Sequence, residues 1–327
     1  MYRRQRRQLT AEGKILLLII AAILLAIIFP AVFASKPQGG SPSDIRFEIE
    51  SSEYVDVYKK DGIENMNLEE YLVSVVAAEM PASFELEALK AQAVAARTYT
   101  SYIKNHGGCS SHPEADICTN SGCCQAYITA DRMQKNWGGN FDSYFNKIKT
   151  AVSETRGQRI YYDGKEIQAF YHACSGGRTE DCANVYSESL PYLQSVESGG
   201  EEGYSHFYGT VSVPPQEFVK AMKEYSPSIN IDAKNLSSDI GEIKRFESGR
   251  VESIKIGNEY FTGREIRGIF KLNSADFTIN VEDEIIFDTK GFGHGVGMSQ
   301  DGADAMAKRG ATYIDILEHY YSGVTVK

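Results

Sequence analysis

Basic charge is scarce in most of this chain. Six of its 34 Lys and Arg and one of its 44 Asp and Glu fall in the first 36 residues, which leaves 28 against 43 in the remainder. So acidic a remainder carries no general footprint for nucleic acid, which needs a basic face. A local basic groove stays compatible with it. No internal repeat is visible, so the chain is not a stack of copies of one unit. No HExxH pair occurs, which counts against a zinc site of the metalloprotease type. The glycine loop at residues 173–180, ACSGGRTE, lacks the lysine and the following helix of a phosphate loop. Long apolar runs are missing too, with one exception.

That exception is residues 15–34, twenty positions without a charge, preceded by Arg3, Arg4, Arg6 and Arg7. Its length suits a hydrocarbon core. The basic flank should stay cytoplasmic, which puts the rest of the chain outside. The expected organisation is a cytoplasmic tail over 1–14, a transmembrane helix over 15–34, a linker over 35–44 and one large extracytoplasmic domain over 45–327. A cleaved signal peptide is the alternative, because residues 32–35, VFAS, offer small side chains near a cut. Signal h-regions are shorter, which favours an uncleaved single-pass anchor.

Residues 67–102, NLEEYLVSVVAAEMPASFELEALKAQAVAARTYTSY, read as two helices meeting at an elbow. Asn67 is the expected N-cap, with Glu70 three residues on as in a capping box. The first helix should run from Leu68 to about Met80 and end ahead of Pro81. Leu72, Val75 and Val76 form its apolar stripe. Glu79 follows them by seven, four and three positions, so its carboxylate shares the inward face. An inward carboxylate is paired, protonated or at work. Desolvation raises its pKa, as a general acid needs. The bland alternative is a helix-end glutamate that reaches water or pairs with the next helix.

The second helix should span about 85–104 and stop at Gly107 and Gly108. Lys90 and Arg97 share one of its faces, either as a solvated stripe or as cations lining a cleft. Further helix is expected over 131–145, 147–155 and 214–225. A hairpin is expected over 159–172, turning at Asp163–Gly164 as a type I′ turn. Alternation on its second strand would point Gln168, Phe170 and His172 one way and Tyr171 the other. Residues 226–245 read as a polar, irregular insertion, and 251–272 and 277–287 as strand-rich. The C-terminal GFGHGVGMSQDGADAMAKRG is a glycine-rich loop opening a short helix, with His294 and Gln300 as its polar groups. The fold class expected is α+β, with helices packed on largely antiparallel sheet.

Six cysteines lie in the outer part, where disulfides are permitted. Cys174 and Cys182 bracket the glycine loop and could form a small disulfide. Four more crowd between residues 109 and 124 together with His112. Two disulfides would account for them. So would a zinc site, since imidazole and thiolate are ligands that tetrahedral zinc prefers. A mixed arrangement also fits, with Cys109 bonded to Cys123 and His112, Cys118 and Cys124 on metal.

Three separated stretches, AAEMPASFELEALKAQAVAARTY, AFYHACSGGRTED and GFGHGVGMSQDGADAMA, resemble the stage II sporulation protein D family, in that order. The resemblance covers about residues 45–327. It implies a peptidoglycan lytic transglycosylase, anchored in the mother-cell membrane facing the forespore septum. Such an enzyme acts on glycan strands during engulfment, beside a peptide-removing amidase and a membrane scaffold. The family's catalytic glutamate falls on Glu79. A zinc site of some clostridial members falls on His112, Cys118 and Cys124. Lys90 and Arg97 would then meet the lactyl carboxylate that peptide removal exposes. Gln168, His172, Ser175, His294 and Gln300 would contact sugar. The competing expectations are a non-catalytic, amidase-activating glycan-binding module and a zinc amidase.

Overall fold

The computed structural model describes residue 49 and residues 51–327 other than 187. The anchor expected over 15–34 and the linker after it lie outside the described residues. Among those described, no helix is long and apolar enough to cross a membrane.

Strands β1 (Tyr54–Lys59) and β2 (Gly62–Asn67) form an antiparallel hairpin that runs directly into helix α1 (Leu68–Glu79). Asn67 caps this helix, its Oδ1 accepting the Glu69 and Glu70 amides at 3.0 and 3.3 Å. Two of the orphan donors at the helix start are thereby satisfied. At Met80 the backbone turns extended, with ψ of 138°, as a residue before proline prefers. α1 therefore ends on Glu79.

Helix α2 (Leu86–Asn105) is the centre of the fold. Ala88, Ala91, Ala93, Ala95 and Ala96 are buried along it, and their small side chains admit neighbouring helices on several sides. It stops at Gly107 and Gly108, both at positive φ, with the Gly108 amide on the Ile103 carbonyl at 2.9 Å. Strand β3 (Ile117–Cys118) then returns beside β1 in parallel and sets Cys118 opposite Tyr58. Helix α3 (Ala130–Trp137) leads into α4 (Phe141–Glu154), which packs on both α1 and α2.

The hairpin expected over 159–172 forms only in part. Strands β4 (Ile160–Tyr162) and β5 (Lys165–Glu166) join through Asp163 and Gly164, with φ of 48° and 73°. Positive φ at both positions is what a type I′ turn requires. β5 then stops. The Phe170 amide bonds back to the Gln168 carbonyl at 2.9 Å, a tight turn that ends the alternation. Strand β6 (Tyr171–His172) pairs elsewhere, parallel to a strand near the C-terminus.

Beyond the short helix α5 (Cys182–Tyr186) the chain builds a second core. It uses β7 (Tyr208–Val213), α6 (Pro215–Tyr225), α7 (Leu236–Asp239), β8 (Ile240–Arg245), β9 (Val251–Ile256), β10 (Glu259–Phe261), α8 (Gly263–Phe270), β11 (Phe277–Val281) and β12 (Ile285–Lys290). The strands form two antiparallel sheets, ordered β10-β9-β8 and β11-β12-β7. Phe218, Ile254, Phe270, Phe277 and Phe287 belong to the cluster they enclose. Two expectations are corrected here. The stretch 226–245 is not irregular throughout: β8 pairs with β9, setting Ile240 and Ile243 opposite Ile256 and Ile254 across a bulge. The stretch 251–272 is not all strand, because a capping box between Thr262 and Glu265 starts α8.

Strand β13 (Met298–Ser299), helices α9 (Gln300–Lys308) and α10 (Tyr313–Tyr320) and strand β14 (Thr325–Val326) close the chain. α9 and α10 both pack on α2, and β14 pairs with β4. The architecture is α+β, with antiparallel sheets apart from the short parallel pairs β1–β3 and β6–β13.

Candidate active site

Because Pro81 fixes the end of α1, the last residue of that helix, Glu79, lines a cleft of about 740 Å³. The turn at 168–170, β6 and the loops at 121–125 and 292–294 form the other walls. Among the described residues that line this cleft, Glu79 is the sole carboxylate. Its Oε1 accepts the Ala126 amide at 2.5 Å. Burial raises the Glu79 carboxyl above its ordinary range; the Ala126 amide and the Tyr171 hydroxyl oppose that shift without cancelling it. The position also suits an acid, since the C-terminus of a helix is the negative end of its dipole.

Tyr171 is the residue that alternation misplaces. The turn at Gln168–Phe170 breaks the strand and delivers its hydroxyl beside Glu79. That hydroxyl donates to Gln125 Oε1 at 2.9 Å, and Gln125 Nε2 donates to Thr100 Oγ1 at 2.8 Å. The acid is thus framed by a buried network that reaches α2.

Two histidines line the same cleft, with ring centroids 5.6 Å apart. His172 is buried, and its Nδ1 donates to the Val296 carbonyl at 3.1 Å. Its Nε2 therefore keeps a lone pair, which has no partner among the described residues. His294 is arranged the other way. Its Nδ1 accepts the Val296 amide at 3.1 Å, so its proton sits on Nε2. Burial, then the charges of Arg267 and Arg250, push His294 down to about 4, and burial lowers His172 as well. Burial thus holds both rings neutral near neutral pH.

Gln168, His172, His294 and Gln300 all line the cleft with Glu79. Ser175 does not. It is buried, and its Oγ donates to Glu201 at 2.9 Å. Glu201 also takes the Ser198 and Ser299 hydroxyls, the Gly176 amide and the Cys174 thiol. Ser175 therefore fastens the glycine loop to the start of α9 and contacts no cleft.

Lys90 and Arg97 share a face as their spacing predicts, but that face packs on α4. Lys90 Nζ bridges Glu87 and Glu154 at 2.8 and 2.7 Å. Arg97 is fully buried and grips Glu69 with two bonds, Nε to Oε1 at 2.9 Å and Nη2 to Oε2 at 2.6 Å. It also donates to the Gln158 and Val152 carbonyls at 3.2 and 3.3 Å. Neither cation lines the cleft, which corrects their expected role there.

All six cysteines are free thiols. The expected Cys174–Cys182 disulfide is absent, and Cys174 donates instead to Glu201 Oε2 at 3.2 Å. Cys109, Cys118, Cys123 and Cys124 converge, with their sulfurs all within 4.8 Å of one another. The Cys109–Cys123, Cys109–Cys124 and Cys123–Cys124 separations are 3.6, 3.7 and 3.8 Å. These are too long for disulfide bonds. Four sulfurs about 2.3 Å from a tetrahedral zinc stand roughly 3.8 Å apart, so the cluster fits that ion. His112 is outside it. The β1–β3 pairing brings Tyr58 under the loop, and the His112 ring stacks on Tyr58 with centroids 3.5 Å apart. The structure thus gathers four thiols, while the expected ligand His112 lies apart from them. Cys123 and Cys124 also line the cleft, so the cluster adjoins Glu79.

A family model described as stage II sporulation protein matches residues 57–162, which include α1 and Glu79. Stage II sporulation protein D of Bacillus subtilis is 36% identical over 276 residues, covering 83% of this chain and 78% of that protein. Its counterpart in Bacillus amyloliquefaciens is 35% identical over 283 residues, covering 85% and 79%. An amidase enhancer of Bacillus subtilis is 29% identical over 306 residues, covering 78% of this chain and 40% of that protein. Similarity of this extent, running through the helix that carries Glu79, makes the chain a member of the stage II sporulation protein D family.

Proposed function

We propose that this chain is a peptidoglycan lytic transglycosylase. It cleaves the bond between N-acetylmuramic acid and N-acetylglucosamine in peptide-stripped strands during engulfment. The observation that carries this reading is the single carboxylate among the described residues of the cleft, raised by burial and oriented through one oxygen by the Ala126 amide. Glycosidases that use water need two carboxylates. A transglycosylase needs one. Glu79 protonates the glycosidic oxygen as its bond to the muramic C1 breaks. The same carboxylate then takes the proton of the muramic C6 hydroxyl, whose oxygen closes on C1. The product is a 1,6-anhydro end, the carboxyl is reprotonated, and no water is consumed. The bond from Ala126 occupies Oε1 and leaves Oε2 for the proton. Gln168, His294 and Gln300 would contact sugar from the cleft wall, with His172 behind them and its Nε2 buried.

Cys109, Cys118, Cys123 and Cys124 would hold a structural zinc. Bound there, the ion would fix the loop that carries Ala126. Four thiolates complete a tetrahedron and leave no position for water, which argues against a zinc amidase. A second reading, a glycan-binding module that stimulates an amidase, draws support from the amidase enhancer among the relatives. The family suggests work at the sporulation septum. The expected partners are the glycan itself, an amidase that supplies stripped strands and a membrane scaffold. The anchor over 15–34 would hold the cleft on the mother-cell membrane. Mass spectrometry of stripped strands incubated with the chain alone separates the readings. A transglycosylase leaves anhydro ends, one water lighter than hydrolysis products, and a binding module leaves the strands intact.

A further inference from the structure

Lys90 and Arg97 do not line the cleft, yet other cations adjoin it. Next to His294 lies a narrow recess of about 30 Å³, which shares Gly293 and His294 with the cleft. Arg250, Arg264 and Arg267 border it. Among the described residues, none of the three forms an ion pair. Glu180, the carboxylate of the recess, is taken by the Asp181 amide and the Asn184 side chain at 2.9 Å and by the Ser248 hydroxyl.

The hydrogen bonds of the three arginines go to backbone carbonyls. Arg250 is buried, and its Nη1 and Nη2 donate to the Arg178 and Ser175 carbonyls at 3.0 and 2.8 Å. Its Nε is buried without a partner. Arg267 gives Nε to the Leu272 carbonyl at 3.2 Å, and Arg264 gives Nη1 to the Val185 carbonyl. Burial, then the charge of Arg250, depresses Arg267, while burial also depresses Arg250 against the opposing charges of Glu180, Asp276 and Glu201. The chain as a whole carries a net charge of −10, so clustering three unpaired cations is not a consequence of composition. Partly buried cations without a directly paired anion are costly. An anionic ligand would remove that cost.

We infer that this recess receives the lactyl carboxylate of a muramic acid residue bound beside His294, and that it thereby selects peptide-stripped strands. The inference rests on the transglycosylase reading and names the subsite that the reading requires. Size and charge both favour this ligand. A recess of about 30 Å³ holds a carboxylate but not a sugar ring. Guanidinium groups match a carboxylate through paired N–H donors. A strand that keeps its peptide presents a neutral amide there, followed by more chain than the recess can hold.

The test is calorimetric binding to the full chain carrying Glu79→Gln, so that glycan stays intact. Three probes of equal length are compared: a muramic acid–glucosamine strand with free lactyl groups, the same strand with lactyl methylamides, and an N-acetylglucosamine oligomer. The free acid should bind at least about tenfold more tightly than the methylamide, as loss of a charge-assisted contact implies. High salt should erase the difference. Arg264→Gln and Arg267→Gln, added singly, should flatten the preference without changing affinity for the methylamide. Equal binding of acid and methylamide by the chain with all three arginines overturns the inference, and needs no arginine variant. So does a full preference retained in both variants with unchanged melting temperature. The two readings fail separately. A carboxylate preference without anhydro products from the wild type keeps the recess and ends the transglycosylase reading. Anhydro products without the preference do the reverse.

Discussion

Glu79 Oε1 and the Ala126 amide nitrogen, 47 positions apart in sequence, lie 2.5 Å from each other. This bond ties the end of α1 to the loop that carries Cys123, Cys124 and Gln125. The orientation of the acid therefore depends on a segment with no helix or strand of its own at that point.

The first prediction concerns stability and pH. Burial raises the Glu79 carboxyl above its ordinary value of 4.5 in the folded chain. Folding then favours the protonated form, a contribution fully present below the unfolded value and lost as pH rises through the folded one. Glu79→Gln is uncharged at every pH. It should melt above wild type near neutral pH and converge with it below about pH 4. Glu79→Ala should be less stable than Glu79→Gln by about 1–3 kcal/mol, because it leaves the Ala126 amide unpaired. Thermal denaturation across pH reads both effects.

Tyr171 should set the pH range of activity without being essential to it. Its hydroxyl lowers the Glu79 carboxyl. Tyr171→Phe should therefore raise that carboxyl further and move the alkaline limb of the kcat/KM profile to higher pH. An unmoved limb with reduced stability would make Tyr171 purely structural.

Zinc content distinguishes the two ligand sets. Full chain prepared without chelator should carry about one zinc, as a four-coordinate thiolate site implies. Cys109→Ala, Cys118→Ala and Cys124→Ala should each lose it. His112→Ala should retain it, since the imidazole is stacked on Tyr58. Elemental analysis showing loss in His112→Ala would restore the imidazole as a ligand.

Arg97 and Glu69 should matter for stability and not for sugar contact. Removing either leaves the other buried and unpaired, at about 3–5 kcal/mol. The double variant should cost less than the sum, because the two changes remove one interaction. Denaturant titration of the four proteins measures the coupling. Full stability with weakened glycan binding would contradict this assignment.

Local signals made part of this site legible. Asn67 and Pro81 bracket α1, and the 3, 4 and 7 spacing placed Glu79 on its inward face. Glycines also marked the loop that carries His294. What could not be read depends on contacts between distant segments. Nothing near Arg97 reveals that Glu69 and the Gln158 carbonyl will enclose it. Helical spacing specifies the face it shares with Lys90 but not the neighbour of that face, α4. Tyr171 was misdirected because alternation holds only while a strand stays in one ladder, and β5 leaves its ladder after Glu166. His112 looked like a ligand from its spacing to Cys118 and Cys124. Its ring instead stacks on Tyr58, which the β1–β3 pairing brings beneath the loop, and Cys109 and Cys123 complete the cluster.

The central claim is that Glu79 supplies the proton and takes it back. The most direct measurement is the rate at which 1,6-anhydromuramyl ends appear from peptide-stripped strands, counted by mass spectrometry, for wild type and Glu79→Gln side by side. Glu79→Gln keeps the shape of the side chain and the acceptor for Ala126 while removing the proton. A single proton transfer is worth roughly 10²–10⁴-fold. With the acid and the base lost together, the account predicts a fall beyond that range with glycan binding retained. Release at the wild-type rate by Glu79→Gln would contradict it and place the acid elsewhere.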